Sequence, residues 1–480
     1  MENIIDISEY RKRIDALTSV SGFGKADVEF LTEIENIKKD LKNAIMANEE
    51  TPEIKGTAYY VSPKGNDAND GLSPDSAWLT LNRVNTTALN PDDAILFERG
   101  GLWRGSIDAQ TGITYAAYGK GAKPKICTAF DGMIDGKWCL TEKENVWMYD
   151  LEINDSDIGL VLFNDGECYS DKKRSVSELE KDLDFVFTGS YANDEPEGFS
   201  RRANMIYLYS EKNPAERFWQ IDFSMNSHSI NHIKDDVTVY NIDFSCGGDI
   251  FFEDVDTPKN VVVKYCALRF MGGHLTGKGG IRFRSGGGVW RGCNNMRFEA
   301  CYFYEQFDAG LSPQYNGGYE GLRTHFYKFI VTDCIMEKTE WPFEYWIGFN
   351  GDGEASQSLF EDTHFSYNIC IDTGNGFGKR SDHRSGIKCW EYPTPSKNCS
   401  IDHNIIDWND PNGVCVETIS IDSDKKYHDE LLFKLEKNIY IAEQGDKLIE
   451  ANGVIYCAEE EDFNRLIEKG VEIGPVVKIR

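Results

Sequence analysis

Six short segments decide the fold: VVVKYCAL (261–268), MRFEACYF (296–303), FIVTDCIM (329–336), THFSYNIC (363–370), CSIDHNII (399–406) and FKLEKNIY (433–440). Each fits the pattern apolar-x-apolar-x-x-(Cys or Asn)-x-apolar, with its anchor at Cys266, Cys301, Cys334, Asn368, Asn404 or Asn438. The anchors are 35, 33, 34, 36 and 34 residues apart, and an earlier copy, VTVYNIDF (237–244), carries Ile242 in that place, 24 residues before Cys266. A spacing near 34 also occurs in helical repeats, but those need helix-forming units, and these are β-branched and aromatic with alternating apolar positions. A strand that returns at this interval, with one small or polar residue always in the same place, predicts a parallel β-solenoid whose coils bury their apolar faces against one another. The anchors should then stack as a ladder, Cys over Cys and Asn over Asn, with Cys301 and Cys334 within about 6 Å.

Outward from this repeat the character of the chain changes twice. Residues 1–50 are poor in glycine, and Phe30, Ile34, Ile37, Leu41 and Ile45 recur at spacings of three and four, which predicts an amphipathic helix. Its stripe should cover either an open end of its own domain or a second copy of the chain, a homo-oligomer. The expected organisation is a helical arm or cap at 1–50, the solenoid at 57–445 with an inserted β segment around 140–230, and a C-terminal cap at 446–480 that includes the helix-like AEEEDFNRLIEKG.

Composition bounds the function. The 480 residues carry 51 Lys and Arg against 80 Asp and Glu, a net charge of −29 that opposes nucleic acid and anionic lipid. The cysteine count is odd at thirteen, with no CxxC pair and no zinc-ligand spacing, so the expectation is reduced, buried thiols. The opening MENIIDISEYRKRIDAL has charges and no apolar core, and no run of eighteen apolar residues occurs, so the expected location is the cytoplasm.

The text YYVSPKGNDANDGLSPDSAWLTLNRVN (59–85), followed by PDDAILFERGGLWRG (91–105), resembles the opening of bacterial right-handed parallel β-helix proteins of the pectate-lyase-like superfamily. MIYLYSEKNPAERFWQIDFS (205–224) and YFYEQFDAGLSPQ (302–314) extend the likeness, which with the later coils runs over roughly residues 57–445. The resemblance implies an all-β right-handed parallel β-helix and a carbohydrate-active enzyme, since many members are glycoside hydrolases or polysaccharide lyases; it does not name a substrate. Asn66, Asp67, Asn69, Asp70 and Gly71 suit a tight loop whose side chains bond its own backbone, a better match than a calcium site.

Chemistry-bearing residues concentrate after the anchors: Asp249, Asp308, Glu340 and Glu344 about six to ten positions on, and further on after Asn368 come Arg380, Asp382, His383, Arg384, Trp390 and Glu391. Asp308 stands in QFDAGLSPQ, where small residues leave it open, and Glu344 in TEWPFEYW, among aromatics that should raise a carboxyl's pKa. Two carboxyls in contrasting settings are what glycoside hydrolysis needs, and adjacent coils, about 5 Å apart, predict retention of configuration. Asp308 and Glu344 are therefore the expected catalytic pair, with Glu340 and Asp382 as reserves. Trp346 and Trp390 can stack on sugar faces, and Gln314, His325, Arg380 and His383 can hold hydroxyls or, for the arginine, a uronate carboxylate.

The sequence thus predicts a glycoside hydrolase acting on oligosaccharides without a cofactor. A polysaccharide lyase using Lys379, Arg380 or Arg384, with calcium or arginine neutralising a uronate, is the alternative, and a non-catalytic carbohydrate-binding solenoid is the third.

Overall fold

The computed structural model describes residues 6–151, 157–188, 205–249, 257–276, 282–283, 288–290, 292–317, 324–349, 359–377, 385–389, 396–419, 433–451 and 453–480. The fold is mostly β, and its backbone is three largely parallel sheets that the chain visits in fixed rotation. From Lys259–Lys264 in the first sheet it passes to Ala267–Arg269 in the second and Gly288–Trp290 in the third. It then returns through Cys293–Glu299, Tyr302–Tyr304 and Ala309–Gly317, and again through His325–Thr332, Ile335–Glu337 and Trp341–Phe349. Every one of these strands pairs in parallel with its counterpart one coil on. One core cluster takes side chains from all three sheets, among them Val263, Leu268 and Leu311, as alternation of inward and outward residues requires.

The anchors form the expected ladder between the first and second sheets. The Cys301 N–H points at Cys334 Sγ at 3.4 Å, and the Cys334 N–H donates to Asn368 Oδ1 at 3.0 Å. Asn368 donates its backbone N–H to Asn404 Oδ1 at 2.9 Å, and Asn404 does the same to Asn438 Oδ1 at 3.1 Å. The ladder ends on an acid: Glu472 Oε1 accepts the Asn438 N–H at 3.0 Å and its side-chain amide at 2.8 Å, and Tyr440 donates its hydroxyl to Oε2 at 2.6 Å. Burial pushes this carboxyl up to about 7, against the pull of the Tyr440 and Asn438 hydrogen bonds.

The residue before each anchor is left-handed: Tyr265, Ala300, Asp333, Tyr367, His403 and Lys437 have φ between 50° and 59°. None is glycine, and such a conformation costs roughly 1–2 kcal/mol per residue. It persists because the turn keeps the ladder bonds, as where the Tyr265 N–H donates to Glu299 O at 3.1 Å and Ala300 to Thr332 O at 3.0 Å.

Helix α1 (Ile7–Leu17) and helix α2 (Val28–Met46) are each capped by an aspartate, Asp6 and Asp27. The apolar stripe, expected on an open end of the domain or on a second copy, packs instead along the flank of a sheet. Ile34, Ile37, Leu41 and Ile45 lie along the outer flank of the second sheet, against Ile335, Ile369, Ile405 and Ile439. That flank is apolar because the short second-sheet strands place an isoleucine outward on successive coils. Arg11 pairs with Asp333, Lys38 with Asp407 and Lys42 with Glu337 around the seam. The stripe therefore has its partner within the chain, and nothing in it calls for an oligomer.

Residues 129–225 contribute two further sheets, mainly antiparallel, with a core of their own that includes Trp138, Tyr149, Phe163, Phe185 and Phe223. At the C-terminal end, the helix Glu460–Glu468 lays Phe463 and Leu466 on the central core, and Gly22–Lys25 adds in parallel to Val476–Ile479. The glycine-rich loop of the opening motif is turn chemistry: Asp67 accepts from Leu79 N, Thr80 N and Thr80 Oγ1, and Asp70 from Leu72 N and Ser76 Oγ. None of the thirteen cysteines is in a disulfide, and ten are buried. Among the described residues no helix is long and apolar enough to cross a membrane.

Candidate functional site

The third sheet presents the polar row from which a site can be built. Its inward residues, Leu311, Phe343, Tyr345, Ile387 and Val416, belong to the central core, so the residues between them face outward. Register aligns Ser312, Glu344, Lys388, Glu417 and Glu450 across successive coils. Ser312 donates its hydroxyl to Glu344 Oε2 at 2.5 Å, Lys388 pairs with Glu417, and Ser385 donates to Glu417 Oε1 at 2.6 Å. Burial and the neighbouring Glu417 push the Glu450 carboxyl up, while Lys388 and Lys447 oppose the rise. One step further along the strands, Gln314 pairs in register with Trp346.

The aromatic setting expected for Glu344 is met in part, since alternation leaves Trp346 on its face of the strand and turns its nearest neighbours away. Strand alternation turns Phe343 and Tyr345 to the core and leaves Glu344 on the opposite face, between the Ser312 hydroxyl and Lys388 in register.

Asp308 stands just before the strand Ala309–Gly317, with a left-handed φ of 79° and a half-buried side chain. Ala309 pairs with Trp341, and the Trp341 N–H donates to Asp308 O at 3.0 Å, so Glu340, which is buried, lies across from Asp308 on the next coil. Glu344 is four residues further along the strand, about 13 Å at the usual rise. The adjacency expected of Asp308 and Glu344 is thus taken by Asp308 and Glu340. The coils close up tightly here: a Cβ on Gly310 would lie 2.8 Å from Pro342 O, so only glycine fits.

His325 is not brought to this row. It opens the first-sheet strand His325–Thr332, where it faces outward with its Nε2 3.3 Å from Glu361 Oε2. Arg380, Asp382, His383 and Trp390 lie outside the described residues. Asp249 is buried, its carbonyl accepting the Ser229 N–H at 3.0 Å, with His228 Nδ1 3.9 Å from its carboxylate.

Two buried groups near the start of the third sheet escape the sequence reading. His274 places Nε2 3.1 Å from Ser224 O, and its ring sits so close to the 129–225 unit that a Cβ on Gly159 would lie 2.7 Å from it. Glu305, three residues before Asp308, accepts the Phe377 N–H at 2.9 Å and lies 3.5 Å from Lys338 Nζ. The glycines of MGGHLTG were a signal for the first; nothing in the text marked the second. Among the described residues, no group of three or more His, Cys, Asp or Glu side chains is arranged to hold a metal.

No family model matches the chain. A stretch of 109 residues, 20% of the chain, is 35% identical to a lacto-N-biosidase of Bifidobacterium longum subsp. longum, and spans only 7% of that protein's length. Among solved structures, a complex of XylC with xylose is similar over 88% of this chain and 82% of its own, at 11% identity and a TM-score of 0.47. A GH136 lacto-N-biosidase from Eubacterium ramulus is similar over 94% and 72%, at 13% identity and a TM-score of 0.42. A rhamnogalacturonan lyase is similar over 81% and 74%, at 10% identity and 0.33.

Proposed function

We propose that this chain is a glycoside hydrolase acting on oligosaccharides, built as a right-handed parallel β-helix from about residue 57 to 445, with Asp308 and Glu340 as its paired carboxyls. The observation that carries the reading is the register at the start of the third sheet, where Asp308 and Glu340 stand across from one another on adjacent coils beside an outward row of hydrogen-bonding side chains. Backbones on adjacent strands are about 5 Å apart, a spacing that favours the retaining arrangement over the wider inverting one.

The half-buried Asp308 attacks the anomeric carbon as a carboxylate, while Glu340, withdrawn from water, gives its proton to the departing glycosidic oxygen. Glu340, now ionised, takes a proton from water, whose oxygen attacks the same carbon and releases Asp308. Glu344, Glu417 and Gln314 accept from sugar hydroxyls, and Trp346 offers a flat face for a ring. The local likeness to a lacto-N-biosidase supports an enzyme of this class. Thirteen cysteines outside any disulfide support a reducing compartment such as the cytoplasm.

Within the described residues the row sets Glu344, Glu417 and Glu450 against Lys388, a balance that repels a uronate and favours the hydrolase over the lyase reading. The test is a panel of neutral and uronate-containing oligosaccharides given to the purified protein, following new reducing ends and the absorbance of unsaturated uronate. Reducing ends without that absorbance are expected. Unsaturated product would make the chain a lyase, and binding without cleavage would make it a lectin-like solenoid.

A further inference from the structure

Glu305 is buried at the corner between the second and third sheets, in a left-handed turn with φ 52°. Its carboxyl lies beside three other parts of the chain. Oε2 accepts the Phe377 N–H at 2.9 Å, and Oε1 faces Lys338 Nζ at 3.5 Å, two residues before Glu340. Burial and the nearby Glu305 charge push up the hydroxyl of Tyr169, which comes from the 129–225 unit. Burial pushes Glu305 up, while the Phe377 N–H and Lys338 draw it down.

The packing around it leaves no slack. A Cβ on Gly376 would lie 2.4 Å from Glu305 Oε2 and 2.7 Å from Lys338 O, so this approach is open to glycine alone. The Phe377 ring packs on Phe307 at 5.4 Å and on Tyr169 at 5.9 Å between centroids. Phe307 is the residue before Asp308. A buried carboxylate adds little net stability compared with apolar groups of the same size, so stability alone gives a poor account of an acid here.

We infer that Glu305 is a positioning residue: its carboxyl latches the 373–377 segment and the 129–225 unit to the corner that carries Asp308, and so fixes Asp308 against Glu340. The inference rests on the reading of Asp308 and Glu340 as the paired carboxyls. Neither Glu305 nor Gly376 need touch the sugar; they act through backbone placement, and errors of about 1 Å there can cost two orders of magnitude in rate.

The test uses the full chain with Gly376→Ala and Glu305→Gln, measuring kcat, KM, the pH dependence of kcat and hydrogen exchange at the Phe377 amide. Gly376→Ala changes no charge but pushes on Oε2; it should lower kcat about tenfold or more, leave KM within about threefold, and speed exchange at Phe377. Glu305→Gln keeps an acceptor for Phe377 but loses the charge facing Lys338, so it should lose less rate and shift the pH profile. Folded variants with faster Phe377 exchange and unchanged kcat would overturn the positioning role while leaving the hydrolase reading intact. Unchanged Phe377 exchange in Gly376→Ala would overturn the latch itself, whatever the activity. A wild-type chain that cleaves no glycoside would instead overturn the catalytic reading on which the inference rests.

Discussion

Asp308 and Glu340 are neighbours across two coils: the N–H of the residue after Glu340 donates to the carbonyl of Asp308 at 3.0 Å. The pairing arises at a corner that shortens by one residue. Tyr302 pairs with Ile335, 33 residues on, whereas Ala309 pairs with Trp341, 32 residues on, so equal offsets from the anchors no longer face each other.

The first expectation concerns the acids. Asp308→Asn and Glu340→Gln should each fold normally and lose activity by three orders of magnitude or more, as the removal of a catalytic carboxyl does. Glu344→Gln should raise KM and spare most of kcat, the result expected if the row it stands in binds the sugar. Steady-state kinetics on one oligosaccharide checks all three; near wild-type kcat in Asp308→Asn with a collapsed Glu344→Gln would restore Glu344 to the catalytic pair.

The ladder should be stronger in its amide half than in its thiol half. Asn404→Ala strands the Asn368 N–H and the Phe365 carbonyl, which Asn404 now bonds at 2.9 Å each, and should cost about 3 kcal/mol. Cys301→Ala removes a small apolar group and a weak acceptor, and should cost about 1 kcal/mol. Urea unfolding of the two variants gives the comparison.

Glu472 should make stability depend on pH. Its folded pKa of about 7 lies above the ordinary 4.5, so the folded state holds the proton more tightly. The stabilisation is full below pH 4.5, is lost as pH rises towards 7 and stays lost above it, an amplitude of about 3 kcal/mol. Glu472→Gln should flatten this part of the curve, as urea midpoints at pH 5 and pH 8 would show.

Deleting residues 1–50 should not yield a smaller, well-behaved particle. It uncovers the apolar flank of Ile335, Ile369, Ile405 and Ile439, a patch of a kind that drives association. Light scattering should find aggregation in the truncated chain; a monodisperse, folded product would show that the helices are dispensable.

How much of this was legible in the sequence depends on the period each feature follows. The anchors and the stripe of α2 repeat with fixed spacing, and both could be read from residue type alone. The left-handed turns could not, because Tyr265, Ala300, Asp333, Tyr367, His403 and Lys437 share no chemistry, only a position. Local composition around Glu344 could not show the alternation that sends Phe343 and Tyr345 to the core and leaves Trp346 beside it. Glu305 was missed because its partners, Tyr169, Lys338 and Phe377, come from remote parts of the chain.

Double displacement by two carboxyls on adjacent coils, Asp308 and Glu340, would leave the anomeric configuration of the sugar retained. Proton NMR of the products in the first moments of hydrolysis, before mutarotation, tests it most directly. The released sugar should first appear with the anomeric configuration of the substrate. An inverted first product, or an unsaturated sugar in its place, would contradict it.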